Sequence, residues 1–407
     1  MKNFVKVIFG DSRNMSEVED CSIDLIITSP PYWNIKNYGV DGQIGFGQNL
    51  HDYLKNLYLV WKECYRILKE GRRLCINIGD QFARSIIYGK YKVIPLHAEI
   101  ILQCEDIGFD YMGSIIWQKK TTMNTTGGAN IMGSYPYPPN GMIEIDYEYI
   151  LLFKKSGKMK KISKEIKEKS KLSKEEWKEY YTGHWNFSGE RQLNHEAMFP
   201  EELPKRLIKM FSFVGDIILD PFLGSGTTLK MAIELGRNGI GYEINYKYKT
   251  IIEEKLTNKK DLFHQFYSID YVIREDNISS NPDLVENYKP VIKNIIPRIN
   301  PDKFNFKEKY YKVVKIINES TIQLSGGLQV TFLGIEILKK EDVLEYLNKF
   351  VLNKEVYLKF SSDNSLKLIN NEKVIKAYVY LKNKIFINRY LIKSGMAKPN
   401  KDFKIKI

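Results

Sequence analysis

The first 263 residues alternate short apolar runs with stretches of helical periodicity. The runs "VKVIF", "DLIIT", "LCINI" and "IILD" have the length and bounding residues of buried strands. Between them, segments such as "LHDYLKNLYLVWKECYRILKEG" repeat apolar residues at helical spacing, and Gly71 is the predicted stop of that helix. Strands alternating with helices are typical of a parallel sheet covered by helices on both faces. The pattern predicts an α/β fold for residues 1–263.

Two further regions depart from this alternation. Residues 120–185 begin rich in Gly, Thr, Asn and Pro and then become lysine-dense, which predicts a partly helical, solvated insertion. Because the insertion follows a candidate catalytic turn, we expect it to lie near that turn and touch phosphates. Residues 264–303 contain "NISSNPD" and "IPRINPD" and are predicted to be a linker. Residues 304–407 are rich in strand patterns with one helix, which predicts a separate, OB-like β-barrel.

Charge and cysteine content narrow the function classes. The 407 residues carry a formal net charge of +13, which favours a polyanionic partner such as nucleic acid, although a lysine bias without a partner is the alternative. The four cysteines form no CxxC pair, so we expect no metal site and reduced thiols, as in a cytoplasmic protein. No apolar run reaches the roughly 18 residues that span a membrane.

A glycine-rich turn, "DPFLGSGTT", follows the strand that ends at Asp220. Gly224 and Gly226 would let backbone N–H groups approach a ligand closely, and no Lys-Ser/Thr pair follows them as in a Walker loop. The next strand ends at Glu243, the position from which a carboxylate holds a ribose in dinucleotide-binding folds. Alone, Glu243 is equally a surface carboxylate, but the two features together favour a cofactor that contains adenosine.

The turn "TSPPYW" ends an earlier apolar strand. Pro30 and Pro31 lack an N–H and stiffen the backbone, so Ser29 and a proline carbonyl would point to one place. Two such acceptors can bind an exocyclic amine while Tyr32 stacks on the ring that carries it. An ordinary strand-ending turn with an incidental aromatic is the alternative.

These three motifs resemble those of the S-adenosylmethionine-dependent amino-methyltransferases of DNA, which act on cytosine N4 or adenine N6. The catalytic motif precedes the cofactor turn, as in the β group of that family, with a target-recognition region between the halves. In the glutamine methyltransferases of release factors the Pro-Pro-Tyr motif follows the cofactor turn, so the order argues against them. The resemblance covers about residues 1–262.

The resemblance implies a role for each matched position. "HEAMFPEELPKRLI" resembles the segment that closes over the methionine part of the cofactor. Glu243 would hold the ribose, and Asp11 would lie near the adenine amine. The methionine side of the pocket would be formed by Asp220, Phe222, Gly224, Gly226 and Thr227. A base flipped out of double-stranded DNA would be received by Ser29, Pro30, Pro31 and Tyr32.

The family association of Ser-Pro-Pro-aromatic motifs favours cytosine N4, with adenine N6 as the alternative. The resemblance also implies the modification enzyme of a restriction-modification system, with a cognate endonuclease, and a homodimer, as in many β-group relatives. A DNA-binding regulator on an inactive methyltransferase fold is a further alternative, against which the intact motifs count.

The C-terminal region resembles the staphylococcal-nuclease-like fold over about 310–398. Where those nucleases have Asp-Gly-Asp-Thr, this chain has Asn-Glu-Ser-Thr at 318–321. The two catalytic arginines fall on Thr331 and Val374, the calcium-side aspartate on Glu336, and the general-base glutamate on Lys339. Cleavage of a phosphodiester needs metal ligands and cations. The resemblance therefore implies a barrel without nuclease activity that binds DNA or packs on the methyltransferase domain, and it argues against a bifunctional methylase-nuclease.

Overall fold

A computed structural model describes most of the chain. The described residues are 3–34, 39–40, 42–83, 92–119, 139, 141, 143–189, 200–257, 267–274, 288–295, 310–325, 329–359, 367–369 and 372–400, with backbone only for 367–369 and 372–374. The predictions that concern residues 120–138, "HEAMF" at 195–199 and the side chain of Val374 lie outside this set.

The N-terminal part contains eleven strands among the described residues. They are β1 (Asn3–Phe9), β2 (Ile23–Thr28), β3 (Leu68–Ile78), β4 (Gln81–Ala83), β5 (Lys92–Ile94), β6 (Phe109–Lys119), β7 (Tyr147–Lys155), β8 (His184–Phe187), β9 (Ile217–Asp220), β10 (Asn238–Glu243) and β11 (Tyr267–Ile273). The α-helices of this part are α1 (Leu50–Ile67), α2 (Leu96–Ile107), α3 (Lys164–Lys169), α4 (Lys174–Tyr180), α5 (Glu202–Phe211), α6 (Thr227–Glu234) and α7 (Lys249–Leu256).

Nine of these strands form one sheet in the order β11-β1-β10-β9-β2-β3-β7-β6-β8. The pairs from β11 through β3 are parallel, as predicted. β7, however, runs antiparallel to both β3 and β6. The sheet is therefore mixed rather than wholly parallel.

Two faces of the sheet carry separate apolar cores. Ile26 faces a core built with α1 and α2, while its neighbours Leu25 and Ile27 face a core built with α5. The period of two residues along β2 produces this alternation. The predicted covering of both faces by helices is confirmed.

Two predicted boundaries are wrong. α1 ends at Ile67, and β3 starts at Leu68, so Gly71 lies inside a strand at φ +73 rather than at a helix end. The register of β2 with β3 shifts between Ile23 and Leu25, which marks an irregularity that a left-handed glycine tolerates. The predicted linker 264–303 contains β11, which pairs along its whole length with β1.

Residues 288–295 of that predicted linker also belong to the folded unit. The Glu99 carboxylate, in α2, is fully buried and accepts hydrogen bonds from the backbone N–H groups of Val291 and Ile292, at 2.9 and 2.8 Å. The Tyr288 hydroxyl donates to the same carboxylate, and Ile295 lies in the core beside α1. A buried charge with three donors holds this segment firmly against α2.

The lysine-dense part of the insertion lies at the opposite sheet edge from the catalytic turn. In the register of β3 with β7, Ile78 at the carboxyl end of β3 pairs with Tyr149, and Arg73 near its amino end pairs with Lys154. Residues 156–183 follow β7 and so leave the sheet at the amino edge. The expectation that this stretch lies beside the catalytic turn is wrong, because β7 runs away from that turn.

The C-terminal part has its own core and sheet. Its elements are β12 (Tyr311–Asn318), β13 (Thr321–Leu324), β14 (Gln329–Phe332), β15 (Ile335–Ile337), α8 (Lys340–Phe350), β16 (Glu355–Lys359), β17 (Lys367–Ile369), β18 (Glu372–Leu381), α9 (Ile387–Lys393) and β19 (Ala397–Pro399). The order β14-β13-β12-β16-β18, together with a parallel pairing of β14 and β18, closes a five-strand barrel. A barrel is therefore confirmed.

All four cysteines are free thiols; Cys64, Cys75 and Cys104 are buried, and Cys21 is exposed. Among the described residues, none of the helices is both long and apolar enough to cross a bilayer. The described residues also include no group of three or more His, Cys, Asp or Glu that could hold a metal.

Candidate active site

The two predicted motifs meet at the carboxyl edge of the sheet. β2 and β9 are parallel neighbours, with Ile26 beside Leu219. The turn that starts at Ser29 and the glycine turn that follows Asp220 therefore leave the sheet side by side. This edge is where ligands bind in open α/β folds.

Asp220 joins the two turns from below. Its fully buried carboxylate accepts hydrogen bonds from the Thr28 hydroxyl at 2.8 Å, the Thr228 hydroxyl at 2.6 Å and the Phe222 backbone N–H at 3.0 Å. Burial raises the pKa of Asp220 from 3.8 to about 6, against the lowering effect of these donors. The carboxylate thus joins both turns, and its place on the methionine side of the cofactor pocket stays a prediction.

The glycine turn has the conformation that the sequence requires. Gly224 has φ +56 and Gly226 has φ +90, a region that favours glycine, and Gly226 precedes the first residue of α6. A Cβ built on Gly224 would meet no atom within 4 Å, so the turn faces open space. Backbone N–H groups at the start of α6 adjoin that space, and such groups favour anionic ligand groups.

Glu243 closes the opposite side of this turn. Its carboxylate accepts the backbone N–H of Gly224 at 2.9 Å and that of Asn245 at 2.8 Å. The role of Glu243 in holding a ribose stays a prediction. The turn packs tightly on β10, because a Cβ on Gly241 would lie 2.8 Å from the Leu223 methyl groups.

Thr227 is buried and already bonded. Lys255, in α7, donates to the Thr227 hydroxyl at 2.7 Å and to the Ser225 hydroxyl at 2.9 Å. The ammonium group therefore supports the turn from beneath. Phe222 is partly exposed and meets the Trp61 ring edge-on, with ring centroids 6.3 Å apart.

Asp11 lies at the same edge, two residues after β1. Phe9 pairs with Glu243 across β1 and β10, so Asp11 and Glu243 lie on neighbouring strand ends. The Asp11 carboxylate is ion-paired with Arg13, whose Nε donates to its Oδ2 at 2.8 Å. Asp11 thus lies at the edge where an adenine amine is predicted to bind. The ion pair with Arg13 occupies part of the capacity of its carboxylate to accept hydrogen bonds.

The catalytic turn presents a free hydroxyl. Ser29 is partly exposed, and in the described part of the chain its hydroxyl makes no hydrogen bond. Pro30 is buried, and the Pro31 carbonyl accepts the Tyr53 hydroxyl at 3.0 Å. Trp33 is buried with its indole N–H bonded to the Gln48 carbonyl, so it anchors the loop rather than lining an open groove.

Tyr32 is held at its hydroxyl. The hydroxyl donates to Glu148 Oε1, in β7, at 2.7 Å. Asn77 donates to the other oxygen of Glu148 at 2.7 Å, and Lys119 forms an ion pair with the same carboxylate. Burial and the Glu148 charge raise the pKa of Tyr32 well above its usual value, so the hydroxyl stays protonated.

Two further polar side chains at this edge lie outside the sequence motifs. Asp80 follows β3 and accepts from His97 Nδ1 at 2.7 Å, and the His97 ring stacks on Tyr149 with centroids 4.0 Å apart. Glu148 and Asp80 carry no motif in the sequence. Their position at strand ends on the carboxyl edge is the signal that could have identified them.

The donor set fits S-adenosyl-L-methionine. The space above Gly224 would admit the cofactor, the carboxylates of Glu243 and Asp11 suit hydroxyl and amine groups, and Phe222 offers an apolar ring. The structure thus brings the predicted cofactor residues to one edge, with Asp220 and Thr227 supporting the turn.

Comparison with known proteins agrees with this geometry. The family model for DNA methylases matches residues 23–254. Type II methyltransferase M.MjaI of Methanocaldococcus jannaschii is 39% identical over 299 residues, which cover 66% of this chain and 96% of the relative. Type II methyltransferase M.MthZI of Methanothermobacter thermautotrophicus is 35% identical over 292 residues, 65% of this chain and 80% of the relative.

A solved structure agrees as well. The putative DNA modification methylase TTHA0409 from Thermus thermophilus, in complex with S-adenosyl-L-methionine, is 34% identical, with a TM-score of 0.53 over 66% of this chain and 99% of that protein. The chain belongs to the N6/N4 DNA methylase family, and its cofactor is S-adenosyl-L-methionine.

Proposed function

We propose that this protein is a site-specific methyltransferase that acts on the exocyclic N4 amine of cytosine in duplex DNA. One observation supports the proposal. The free hydroxyl of Ser29 and the open glycine turn directly follow two neighbouring strands, and a hydrogen bond between Thr28 and Asp220 joins the ends of those strands. The acceptor side chain and the cofactor turn therefore share one preorganised edge.

The chemistry divides between cofactor and protein. The bound cofactor supplies an electrophilic methyl group on its sulfonium. Ser29 and the Pro30 carbonyl accept hydrogen bonds from the target amine, which favours a pyramidal nitrogen with an available lone pair. The nitrogen lone pair would form a bond to the methyl carbon as the bond from that carbon to sulfur breaks. The amine is acidic after the transfer and would release its proton to solvent water, so a hydroxyl suffices where a carboxylate base is absent. Correct orientation of the target amine relative to the methyl group accounts for much of the rate enhancement.

The target base must leave the duplex to reach Ser29. Tyr32 would stack on the flipped base. Two buried carbonyl oxygens near this turn, Asn77 Oδ1 and Gln81 Oε1, have no hydrogen-bond partner among the described residues. These oxygens are covered by the protein, and the two amides bond instead through their N–H groups to Glu148 and to the Trp33 carbonyl.

Ser29 as the first residue of its motif favours cytosine over adenine. By similarity to the type II relatives, the enzyme would be the modification half of a restriction-modification system with a cognate endonuclease. The resemblance to the β group implies a homodimer. We place the end of the methyltransferase domain near 295, after the segment bound to Glu99, and the start of the barrel near 310.

For the barrel, we propose an OB-like, nuclease-inactive domain that binds DNA. Residues 310–400 carry fifteen Lys and Arg against eight Asp and Glu. Lys359 lies 5.0 Å above the Tyr380 ring, which stacks between Tyr357 and Phe386. Rings interleaved with lysines suit nucleic acid. Glu336, the single retained carboxylate, is paired with Lys398 at 3.2 Å.

The test is transfer of a labelled methyl group from S-adenosylmethionine to unmethylated plasmid DNA, followed by nucleoside analysis. We expect N4-methylcytosine. N6-methyladenine would overturn the base assignment, and a protein that binds cofactor but labels no DNA would overturn the enzyme. Ser29→Ala should lower turnover about tenfold or more with cofactor affinity unchanged, while Ser16→Ala, at an exposed remote position, should behave as wild type.

A further inference from the structure

We propose that Glu148 is a positioning residue that fixes the ring of Tyr32 for stacking on the target base. The inference rests on the proposed role of Tyr32 as the base-stacking ring. Glu148 belongs to a different strand from the catalytic motif and lies 116 residues away in the chain. No feature of the motif itself points to it.

Tyr32 is held at both ends. Its backbone follows two prolines, and the carbonyl of Pro31 is bonded to the Tyr53 hydroxyl at 3.0 Å. Its ring ends in the 2.7 Å hydrogen bond from the hydroxyl to Glu148. A phenol fixed at its hydroxyl cannot change its χ1 rotamer without breaking that bond. The ring plane is therefore set before any base arrives.

Glu148 is itself held by two donors besides Tyr32. Lys119, the last residue of β6, pairs with it, and Asn77 of β3 donates to its second oxygen. The side chain of Glu148 is nearly buried, and a carboxylate that contacts three donors is held in one position. Three strands of the sheet thus converge on one tyrosine hydroxyl.

Gly79 makes room for this contact. A Cβ at this position would lie 3.1 Å from Glu148 Cγ and 3.4 Å from the Tyr32 hydroxyl oxygen. The distance to Glu148 Cγ is shorter than an ordinary van der Waals contact, and the distance to the Tyr32 hydroxyl oxygen is at the lower limit of one. The missing side chain at the end of β3 therefore lets Tyr32 and Glu148 approach to hydrogen-bond distance.

The cluster of Tyr32, Glu148 and Lys119 also contacts Asp146, the residue that precedes β7. The backbone N–H of Lys119 donates to the Asp146 carbonyl at 3.0 Å, and Gln118 donates to the Asp146 carboxylate at 3.0 Å. Glu148 follows Asp146 by two residues. The group that orients Tyr32 therefore lies where the end of β6 pairs with the start of β7.

The role predicts a turnover effect separate from binding. Without the bond to Glu148 the ring samples orientations that do not stack on the base, and displacement of a positioning group costs rate rather than cofactor affinity. The hydroxyl touches no reacting atom, so Tyr32→Phe keeps the stacking surface and removes only its fixation.

The test is a double-mutant cycle of Tyr32→Phe and Glu148→Ala, assayed for methyl transfer to plasmid DNA at saturating cofactor. We expect each single variant to lower kcat about tenfold, with the cofactor Kd and the KM for DNA within about twofold of wild type. The double variant should be no slower than the slower single variant, because both substitutions remove one bond. Glu148→Gln, which keeps an acceptor, should recover part of the loss.

Two outcomes would overturn the inference. One is a kcat of Tyr32→Phe equal to that of the wild type. The other is a kcat of the double variant that is about a hundredfold below wild type, because the effects of the two substitutions would then be independent. Glu148→Ala leaves Lys119 unpaired and could unfold, but Tyr32→Phe leaves that ion pair intact and decides the question alone. Tyr111→Phe, on β6 against Phe153, is the matched control. A wild-type enzyme without activity would instead refute the proposed function.

Discussion

The Thr28 hydroxyl donates a 2.8 Å hydrogen bond to the Asp220 carboxylate, across two strands whose ends carry the two halves of the site. Thr28 precedes Ser29, and Asp220 precedes the glycine turn. A displacement of either turn would therefore be transmitted to the other. The bond is buried, so water cannot replace it readily.

Replacing Thr28 by valine keeps the volume and removes this donor. We expect Thr28→Val to lower the free energy of unfolding by about 1–3 kcal/mol, because a buried carboxylate loses a hydrogen bond. It should also lower kcat, since Ser29 is the next residue. Urea denaturation and the methyl-transfer assay measure the two effects.

Thr228→Val is the matched control, because Thr228 donates to the other oxygen of Asp220 at 2.6 Å but belongs to α6. We expect a similar loss of stability with weaker cofactor binding as the main functional effect. Equal effects of both variants on kcat and on cofactor affinity would contradict the division of roles between the turns.

The raised pKa of Asp220 predicts that the free energy of unfolding depends on pH. Its pKa is raised from 3.8 to about 6 in the folded protein, so ionisation costs the folded state up to about 3 kcal/mol at neutral pH. The folded state binds this proton more tightly than the unfolded chain, and the cost therefore grows as the pH rises from about 4 to above 6. Asp220→Asn removes the titration.

The difference in unfolding free energy between Asp220→Asn and wild type should thus shift in favour of the variant as the pH rises from 4 to 7.5. Denaturation series at both pH values measure the shift. A difference independent of pH would show that the folded pKa of Asp220 is not raised.

Gly241 predicts a packing effect on the cofactor turn. In Gly241→Ala the new Cβ would lie 2.8 Å from the Leu223 methyl groups, so Leu223 and the turn that contains it must move. We expect a loss of about 1–3 kcal/mol in stability and weaker cofactor binding by calorimetry. Gly183→Ala, whose Cβ meets no atom within 4 Å, should change neither.

The hydrogen bonds from Lys255 to the same turn predict an effect of this residue on cofactor binding. Lys255→Met keeps most of the side-chain length but removes the donors to Ser225 and Thr227. We expect cofactor affinity to fall severalfold, because two buried hydroxyls lose their partner. Lys249→Met, at a partly exposed position of the same helix, is the control. Unchanged cofactor affinity in Lys255→Met would show that the turn needs no such support.

The barrel predicts a change in salt dependence. Lys359 lies over the Tyr380 ring and Lys382 over the Tyr310 ring, along the paired strands β16 and β18. If this face contacts phosphates, the double alanine variant should bind DNA more weakly, and the slope of log K against log salt should fall by about two. Fluorescence anisotropy with the full chain measures this slope. Alanine at Lys349 and Lys393, on the two helices of the barrel, should leave it unchanged; an equal fall there would refute a specific face.

Much of the site could be predicted because its motifs are local. A strand that ends in Ser-Pro-Pro-Tyr or in Asp-Pro-Phe-Leu-Gly carries its own stop signal, and the ends of parallel strands share one edge. Ser29, Gly224, Glu243 and Asp11 lie at that edge accordingly. Boundaries such as Gly71 and residue 263 failed, because strand pairing overrode the local turn signals.

The sequence by itself determined the strand-helix alternation, the two turn motifs and their order, since each depends on neighbouring residues and on backbone chemistry. Tertiary structure decided that Asp220 faces inward, that Tyr32 is bound by Glu148, and that the lysine-rich stretch leaves from the far edge. These outcomes depend on strand direction and on which buried polar groups meet. Such pairings join residues more than seventy positions apart, and only the packed sheet specifies them.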